Sequence, residues 1–260
     1  MKVPRMDLLK LESAVVPVTG AASGIGLAIC RRLRAVGATP LLLDIDRKRL
    51  DAALHQVYPE DGQAARHGYL LDVRDPAATD ACLAEIRRDH GLVTHAVANA
   101  GIVIGANILE VTNEQWHQVM DVNLHGVFYF CRAAARQLAE AKRGSMVMMG
   151  SLAGLRAKEA RITYTASKAA VVNMARTLAL DLGRFGVRVN AVAPGYVDTP
   201  MQRAKPAAVL QESIDKVPLG RIADADEIAK VVLFLLSDLA SYVTGETVVA
   251  DGGVMAKYVY

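Results

Sequence analysis

Short apolar runs rich in β-branched residues alternate with longer stretches of helical periodicity along the chain. Runs at Val15 to Val18, Pro40 to Asp44, Tyr69 to Asp72, Ala96 to Asn99, Ser145 to Gly150, Val187 to Ala193 and Thr247 to Val249 predict strands. Between them, Ile25 to Val36, Arg47 to Gln56, Ala77 to Asp89, Glu114 to Glu140, Tyr164 to Leu182 and Asp226 to Ser237 predict helices. Such alternation requires crossover connections, and strands apolar on both faces need cover on both sides. The chain therefore predicts an α/β fold, a Rossmann-type doubly wound parallel sheet of about seven strands with helices on both faces. Ligands of such sheets bind beyond the carboxyl ends of the strands. One residue resists: Pro17 lacks the N–H that a central strand would use, and the sequence offers only a bulge as an explanation.

With 260 residues, 52% of them hydrophobic, the chain can bury one large core, and residues 1–260 are expected to form a single domain. Its 30 Lys and Arg stand against 27 Asp and Glu, for a net charge of +3, and the cations are scattered. That speaks against nucleic acid or an anionic membrane as partner. Cys30, Cys82 and Cys131 match neither a metal knuckle nor a disulfide framework, so small buried thiols in a reducing cytoplasm are expected. The stretch from Met1 to Leu11 includes Asp7 and mixes charged with apolar residues, unlike a secretory signal. Apolar runs such as Val231 to Leu236 are too short to span a bilayer.

Chemistry first shows in Thr19-Gly20-Ala21-Ala22-Ser23-Gly24-Ile25-Gly26, which joins the first strand to the first helix. Glycines let backbone approach a pyrophosphate, and a helix N-terminus supplies free N–H groups and partial positive charge. Between a strand and a helix at the start of an alternating chain, this loop points to a dinucleotide, although the spacing is not G-x-G-x-x-G. Asp44, ending the second strand, stands where a carboxylate reaches the adenosine ribose hydroxyls and repels a 2′-phosphate, which selects NAD. Arg47 and Lys48 just downstream are read as solvated helix-start charges; a phosphate-binding role is the alternative. Asp72 is either an adenine contact or a turn residue.

Tyr164 and Lys168 lie one helical turn apart on one face, where an ammonium would favour the phenolate of a group whose ordinary pKa is about 10. Ser151, ending the fifth strand, can be brought by the fold to the same cleft and hold a substrate oxygen. His95 is read as a hydrogen-bonded packing residue, and the six histidines are dispersed, without a metal-ligand spacing.

Taken together, these residues resemble the short-chain dehydrogenase/reductase family over nearly the whole chain. The resemblance rests on the Thr19 to Gly26 loop, Asn99-Ala100-Gly101, Asn123, Ser151, the Tyr164-x-x-x-Lys168 pair, Pro194-Gly195 and Thr199. It implies that Tyr164 is the acid/base, that Ser151 orients the reacting oxygen, and that Lys168 holds the nicotinamide ribose and lowers the tyrosine pKa. Asn123 would position a proton-relay water. Cofactor contacts are implied for Gly20, Ser23, Gly24, Ile25, Gly26, Asp44, Asp72, Val73, Asn99, Ala100, Gly101, Tyr164, Lys168, Pro194, Gly195, Val197 and Thr199. Two departures are Ala98, where many relatives have a second Asn, and Pro17. By the same resemblance the assembly is a homotetramer.

The implied reaction is NAD-dependent interconversion of a secondary alcohol and its ketone, on a polyol, sugar or small cyclic alcohol, without a metal. An NADPH-dependent 3-oxoacyl thioester reductase is the nearer alternative, against which Asp44 speaks. A non-catalytic dinucleotide sensor would not need the acid/base set. Specificity is expected in the segment after Ser151 and in a loop from Tyr196 to about Val217. Arg156, Lys158 and Arg161 there either attract an anionic group or are solvated, and Met201, Val209 and Leu210 either line an apolar pocket or pack.

Overall fold

The computed structural model describes residues 9–204 and 206–257; the first eight residues and the Met201 side chain, on which sequence expectations fell, lie outside the described residues. The elements in chain order are β1 (Val15–Thr19), α1 (Gly24–Ala35), β2 (Thr39–Asp44), α2 (Arg47–Val57), β3 (Gly68–Leu70), α3 (Pro76–His90) and β4 (His95–Ala98). There follow α4 (Asn113–Met120), α5 (Val127–Ala141), β5 (Gly144–Met149), α6 (Ile162–Gly183) and β6 (Val187–Pro194). The chain closes with β7 (Val197–Asp198), α7 (Pro200–Arg203), α8 (Ala207–Asp215), β8 (Ala223–Asp224), α9 (Ala225–Leu236) and β9 (Thr247–Ala250).

Seven strands form one parallel sheet in the order β3-β2-β1-β4-β5-β6-β9, and β7 pairs with β8 alone. The alternation of side chains explains the cover on both faces. Val16, Val18, Leu42, Val97, Val147 and Val192 pack on one side with α1, α2 and α9. Val15, Leu41, Leu43, Ala96, Met146 and Val189 pack on the other with α3, α5 and α6. Strand order reverses between β1 and β4, so the crevice at their carboxyl ends is the switch point.

Pro17 introduces no bulge, because β1 runs in unbroken register with β2 over five paired positions. Val15 faces β4 with both main-chain groups: its N–H donates to the Thr94 hydroxyl and its carbonyl accepts from the Thr94 N–H, each at 3.2 Å. Residue 17 faces the same way, and there β1 and β4 share one paired position, Val18 with Val97. The missing donor therefore falls on the thin side of the ladder.

Two sequence expectations are corrected. The predicted helix from Glu114 to Glu140 is α4 and α5 joined by a π-helical segment, Asp121–Gly126. Wider turns of this kind have no signature in apolar periodicity. The predicted loop from Tyr196 to Val217 is largely ordered into β7, α7 and α8. Helix starts also divide into two kinds. Asp46, Asp75, Thr112 and Asp224 cap α2, α3, α4 and α9 with their side chains, whereas neither Ser23 before α1 nor Arg161 before α6 makes such a bond. The starts of α5 and α8 are likewise uncapped, but of the four only Ser23 and Arg161 border the crevice.

Candidate active site

A cleft of about 1240 Å³ opens at the carboxyl ends of the strands. At its nucleotide end the β1–α1 loop takes conformations that side chains resist: Gly20 has φ +62° and Gly24 φ +52°, and a Cβ on Gly20 would stand 2.9 Å from Ala100 Cα. The loop is held from below. Asn99 donates to the carbonyls of Thr19 and Gly20 at 2.9 and 3.1 Å, and the Thr19 hydroxyl accepts from the N–H groups of Asn99 and Ala100. With α1 uncapped and no acid in its first turn, its amides are free to meet a pyrophosphate. These residues fit a nicotinamide dinucleotide.

Asp44 lines the same end, and its two carboxylate oxygens accept from Ala22 N–H at 3.0 Å and Asp46 N–H at 3.1 Å. It thereby ties the glycine loop to the start of α2. Asp72 turns the chain by accepting from the Arg74 N–H at 3.0 Å, and it lines the cleft. Arg74 also grips the Asp72 carboxylate in a fork, which holds that carboxyl below its ordinary range. Sequence reading missed Arg49 and Arg74. Arg49, not Arg47 or Lys48, is the helix-start cation in the cleft, and it pairs with Asp46 at 2.7 Å. The recoverable signal was an aspartate followed two or three residues later by arginine.

Most of the expected cofactor contacts line the cleft: Gly20, Ser23, Gly24, Ile25, Asp44, Asp72, Val73, Asn99, Ala100, Gly101, Tyr164, Lys168, Pro194, Gly195, Val197 and Thr199. Gly26 does not. A Cβ there would fall 2.2 Å from the Gly20 carbonyl oxygen, so Gly26 serves close packing of helix against loop. Asn123 also stands behind the wall, fully buried in the π segment. It donates to the Ile102 carbonyl at 2.9 Å and the Ser167 hydroxyl at 3.2 Å, and accepts from the Ile102 N–H at 2.8 Å.

At the other end Ser151, Tyr164 and Lys168 converge. Ser151 follows β5 in extended conformation, and its hydroxyl stands near enough to the Tyr164 phenol to favour the phenolate. Lys168 Nζ donates to the Met149 carbonyl at 2.7 Å and lies 5.8 Å from the Tyr164 ring centroid. The expected depression of the tyrosine pKa by Lys168 is not found: burial pushes the phenol up, and only the Ser151 hydroxyl opposes it. The same burial lowers Lys168 to about 8. His95 lies away from this set, half-buried on the Thr94 hydroxyl at 3.0 Å, and burial with Arg188 and Arg143 nearby lowers it to about 4. Among the described residues no helix is long and apolar enough to cross a membrane.

The family model described as enoyl-(acyl carrier protein) reductase matches residues 20–255. Galactitol 2-dehydrogenase (L-tagatose-forming) of Cereibacter sphaeroides is 39% identical over 251 residues, 95% of this chain and 96% of that protein. The 3-oxoacyl-[acyl-carrier-protein] reductase FabG of Thermotoga maritima is 35% identical over 247 residues, 95% of this chain and 100% of that protein. Among solved structures, that of gox2181 superposes with a TM-score of 0.89 at 33% identity, covering 95% of this chain and 97% of that one.

Proposed function

Because the chain belongs to the short-chain dehydrogenase/reductase family, whose members are oxidoreductases acting on CH–OH groups, we propose that it interconverts a secondary alcohol and its ketone with NAD(H). The substrate in this reading is a polyol, sugar or small cyclic alcohol. The observation that carries it is one cleft with Asp44 at one end and Ser151, Tyr164 and Lys168 at the other. A 2′-phosphate would meet the Asp44 carboxylate, while Arg49 and Arg74, the guanidiniums at that end, are already neutralised by Asp46 and Asp72. Likeness to galactitol 2-dehydrogenase supports the polyol class.

A nicotinamide dinucleotide held by the glycine loop, Asp44 and Lys168 would supply hydride transfer to or from the carbinol carbon. Tyr164 takes the hydroxyl proton in oxidation and gives it back in reduction; Ser151 holds the substrate oxygen beside it. Lys168 holds the nicotinamide ribose, and Ser151 favours the phenolate against burial. Asn123, bonded to the Ile102 main chain and to Ser167, shapes the wall behind this set and is assigned the relay water. Residues 1–260 are read as one cytoplasmic catalytic domain with its substrate segment at about 196–217, assembling as a homotetramer.

The test is absorbance of reduced nicotinamide with NAD or NADP against polyols, cyclic diols, simple secondary alcohols and hydroxyacyl thioesters. Turnover with NAD on an alcohol class is the expected result. Turnover with NADP alone on the thioesters would instead favour a 3-oxoacyl thioester reductase, the activity in the name of the Thermotoga maritima relative. Replacing Tyr164 by Phe should remove turnover and keep NAD affinity, and unchanged turnover would sink the assignment of Tyr164.

A further inference from the structure

The two ends of the cleft differ in how their cations are neutralised. At the nucleotide end Arg49 and Arg74 each hold an aspartate at 2.7 and 2.6 Å. Beyond Tyr164, the lining holds Arg156, Arg161 and Lys216 against one carboxylate among the described residues, Glu159. None of Arg156, Arg161 and Lys216 takes part in an ion pair among the described residues. Arg156 spends one N–H on the Met255 carbonyl at 3.2 Å, and Lys158 lies over the Tyr196 ring at 5.3 Å. Arg161 is the half-buried member, and its one hydrogen bond runs from Nη1 to the neighbouring Ala160 carbonyl at 2.6 Å. A guanidinium offers five donors, so most of its capacity remains for a ligand.

The surroundings of Arg161 are built for it. Ala160 sits at φ +53°, a left-handed conformation unfavourable for a non-glycine residue, and its carbonyl receives the guanidinium. Gly105 supplies the space, since a Cβ there would fall 2.1 Å from Arg161 Nη1. Residues 106 and 161 are joined by a main-chain bridge, which fixes this wall beside the start of α6 and three residues from Tyr164. The uncapped N-terminus of α6 adds partial positive charge at the same place. A half-buried guanidinium without a counter-charge is expensive in a free protein and favourable once an anion arrives.

We propose that the alcohol taken by this enzyme carries an anionic group, a carboxylate or a phosphate, held by Arg161 at the substrate end of the cleft. This rests on the alcohol–ketone reading above and narrows its substrate class. Arg161 then determines specificity by anchoring the part of the substrate that does not react, and so presents the carbinol carbon to Tyr164 and Ser151.

The experiment compares kcat/KM for neutral polyols, the matching sugar acids and the matching sugar phosphates in wild type, Arg161→Met, Arg161→Lys and Gly105→Ala. Wild type is expected to prefer one anionic set over the neutral set by at least about tenfold, the scale of one charge-assisted contact, and the preferred set distinguishes carboxylate from phosphate. That ratio should collapse in Arg161→Met and survive in part in Arg161→Lys, which keeps the charge and loses the fork. Gly105→Ala keeps Arg161 and displaces its guanidinium, so the ratio should fall there too without loss of a charge. Equal treatment of neutral and anionic alcohols by wild type, or a ratio unmoved in both Arg161→Met and Gly105→Ala, would overturn the proposal. If no alcohol of any class turns over with either dinucleotide, the alcohol reading fails on its own. Calorimetric binding of the same compounds then still decides the anion site: acids or phosphates binding more tightly than polyols, an advantage lost in Arg161→Met, supports it, and equal binding overturns it.

Discussion

Lys168 sets chemistry against stability. Burial lowers its pKa from near 10.5 to about 8, so the unfolded chain holds that proton more tightly than the native one. Native stability should then rise with pH between about 8 and 10.5, and below 8 the full penalty applies, roughly 3 kcal/mol at one pKa unit per 1.36 kcal/mol. Lys168→Met should abolish turnover yet raise the urea midpoint at pH 7, and should erase the gain that wild type shows between pH 8 and 10; an unstable variant with a wild-type pH slope would contradict this. Asp44 invites a second measurement, because its bonds to Ala22 and Asp46 make it a brace for the glycine loop besides the proposed reading of the ribose. Asp44→Ala should weaken not only NAD but also an NAD analogue lacking both adenosine ribose hydroxyls, by about tenfold. Undiminished affinity for that analogue would confine Asp44 to the ribose. Single positions were legible in sequence where residue type and spacing speak for themselves, as at Tyr164, Lys168 and Asp44. They were not where the partner is distant in the chain: nothing local reveals that Gly26 presses on Gly20 or that Gly105 makes room for Arg161.

Segments were readable through their period, and the strand and helix centres follow the apolar pattern closely. The interruption of the long helix at Asp121–Gly126 was not, since a π turn leaves the run of apolar residues intact. It is stabilised through space: Asn123 exchanges bonds with Ile102, and Gly126 lets the helix approach Val73, whose Cγ2 would stand 2.7 Å from a Cβ. Residues 196–217 look like a loop in sequence because α7 and α8 are short and β7 pairs only with β8. The packing of α1 on its loop gives a prediction at this level. Gly26→Ala places a methyl 2.2 Å from a backbone carbonyl that has no rotamer to move, so the loop must shift. It should cost about 2 kcal/mol or more in stability and at least tenfold in NAD affinity, read by denaturant unfolding and by titration; wild-type affinity would show that the loop gives without consequence.

A doubly wound parallel sheet of about seven strands was implied by alternation, while assembly was an expectation from resemblance alone. Along α9, β9 and the turn between them, Phe234, Leu239, Tyr242 and Val249 stand exposed, Tyr242 completely, although α9 already buries Ile228, Val232 and Leu235 inward. An apolar surface of this kind suits self-association. Light scattering should therefore give four times 27.8 kDa, and Tyr242→Glu with Phe234→Glu should reduce that mass; a 27.8 kDa wild-type particle would refute the tetramer. The place of β9 has another consequence. It pairs with β6, its Ala250 carbonyl accepts from the Gly195 N–H at 2.9 Å, and the next residues meet Arg156 through the Met255 carbonyl. The chain leaves the ribosome N-terminus first, so β1, β2 and the glycine loop can form early, whereas the wall beside the reacting groups waits for the residues from 247 onward. A nascent chain halted before residue 247 would hold the strands of the nucleotide end and yet stop at a bare β6 edge, so one half of the cleft exists before the other can be closed.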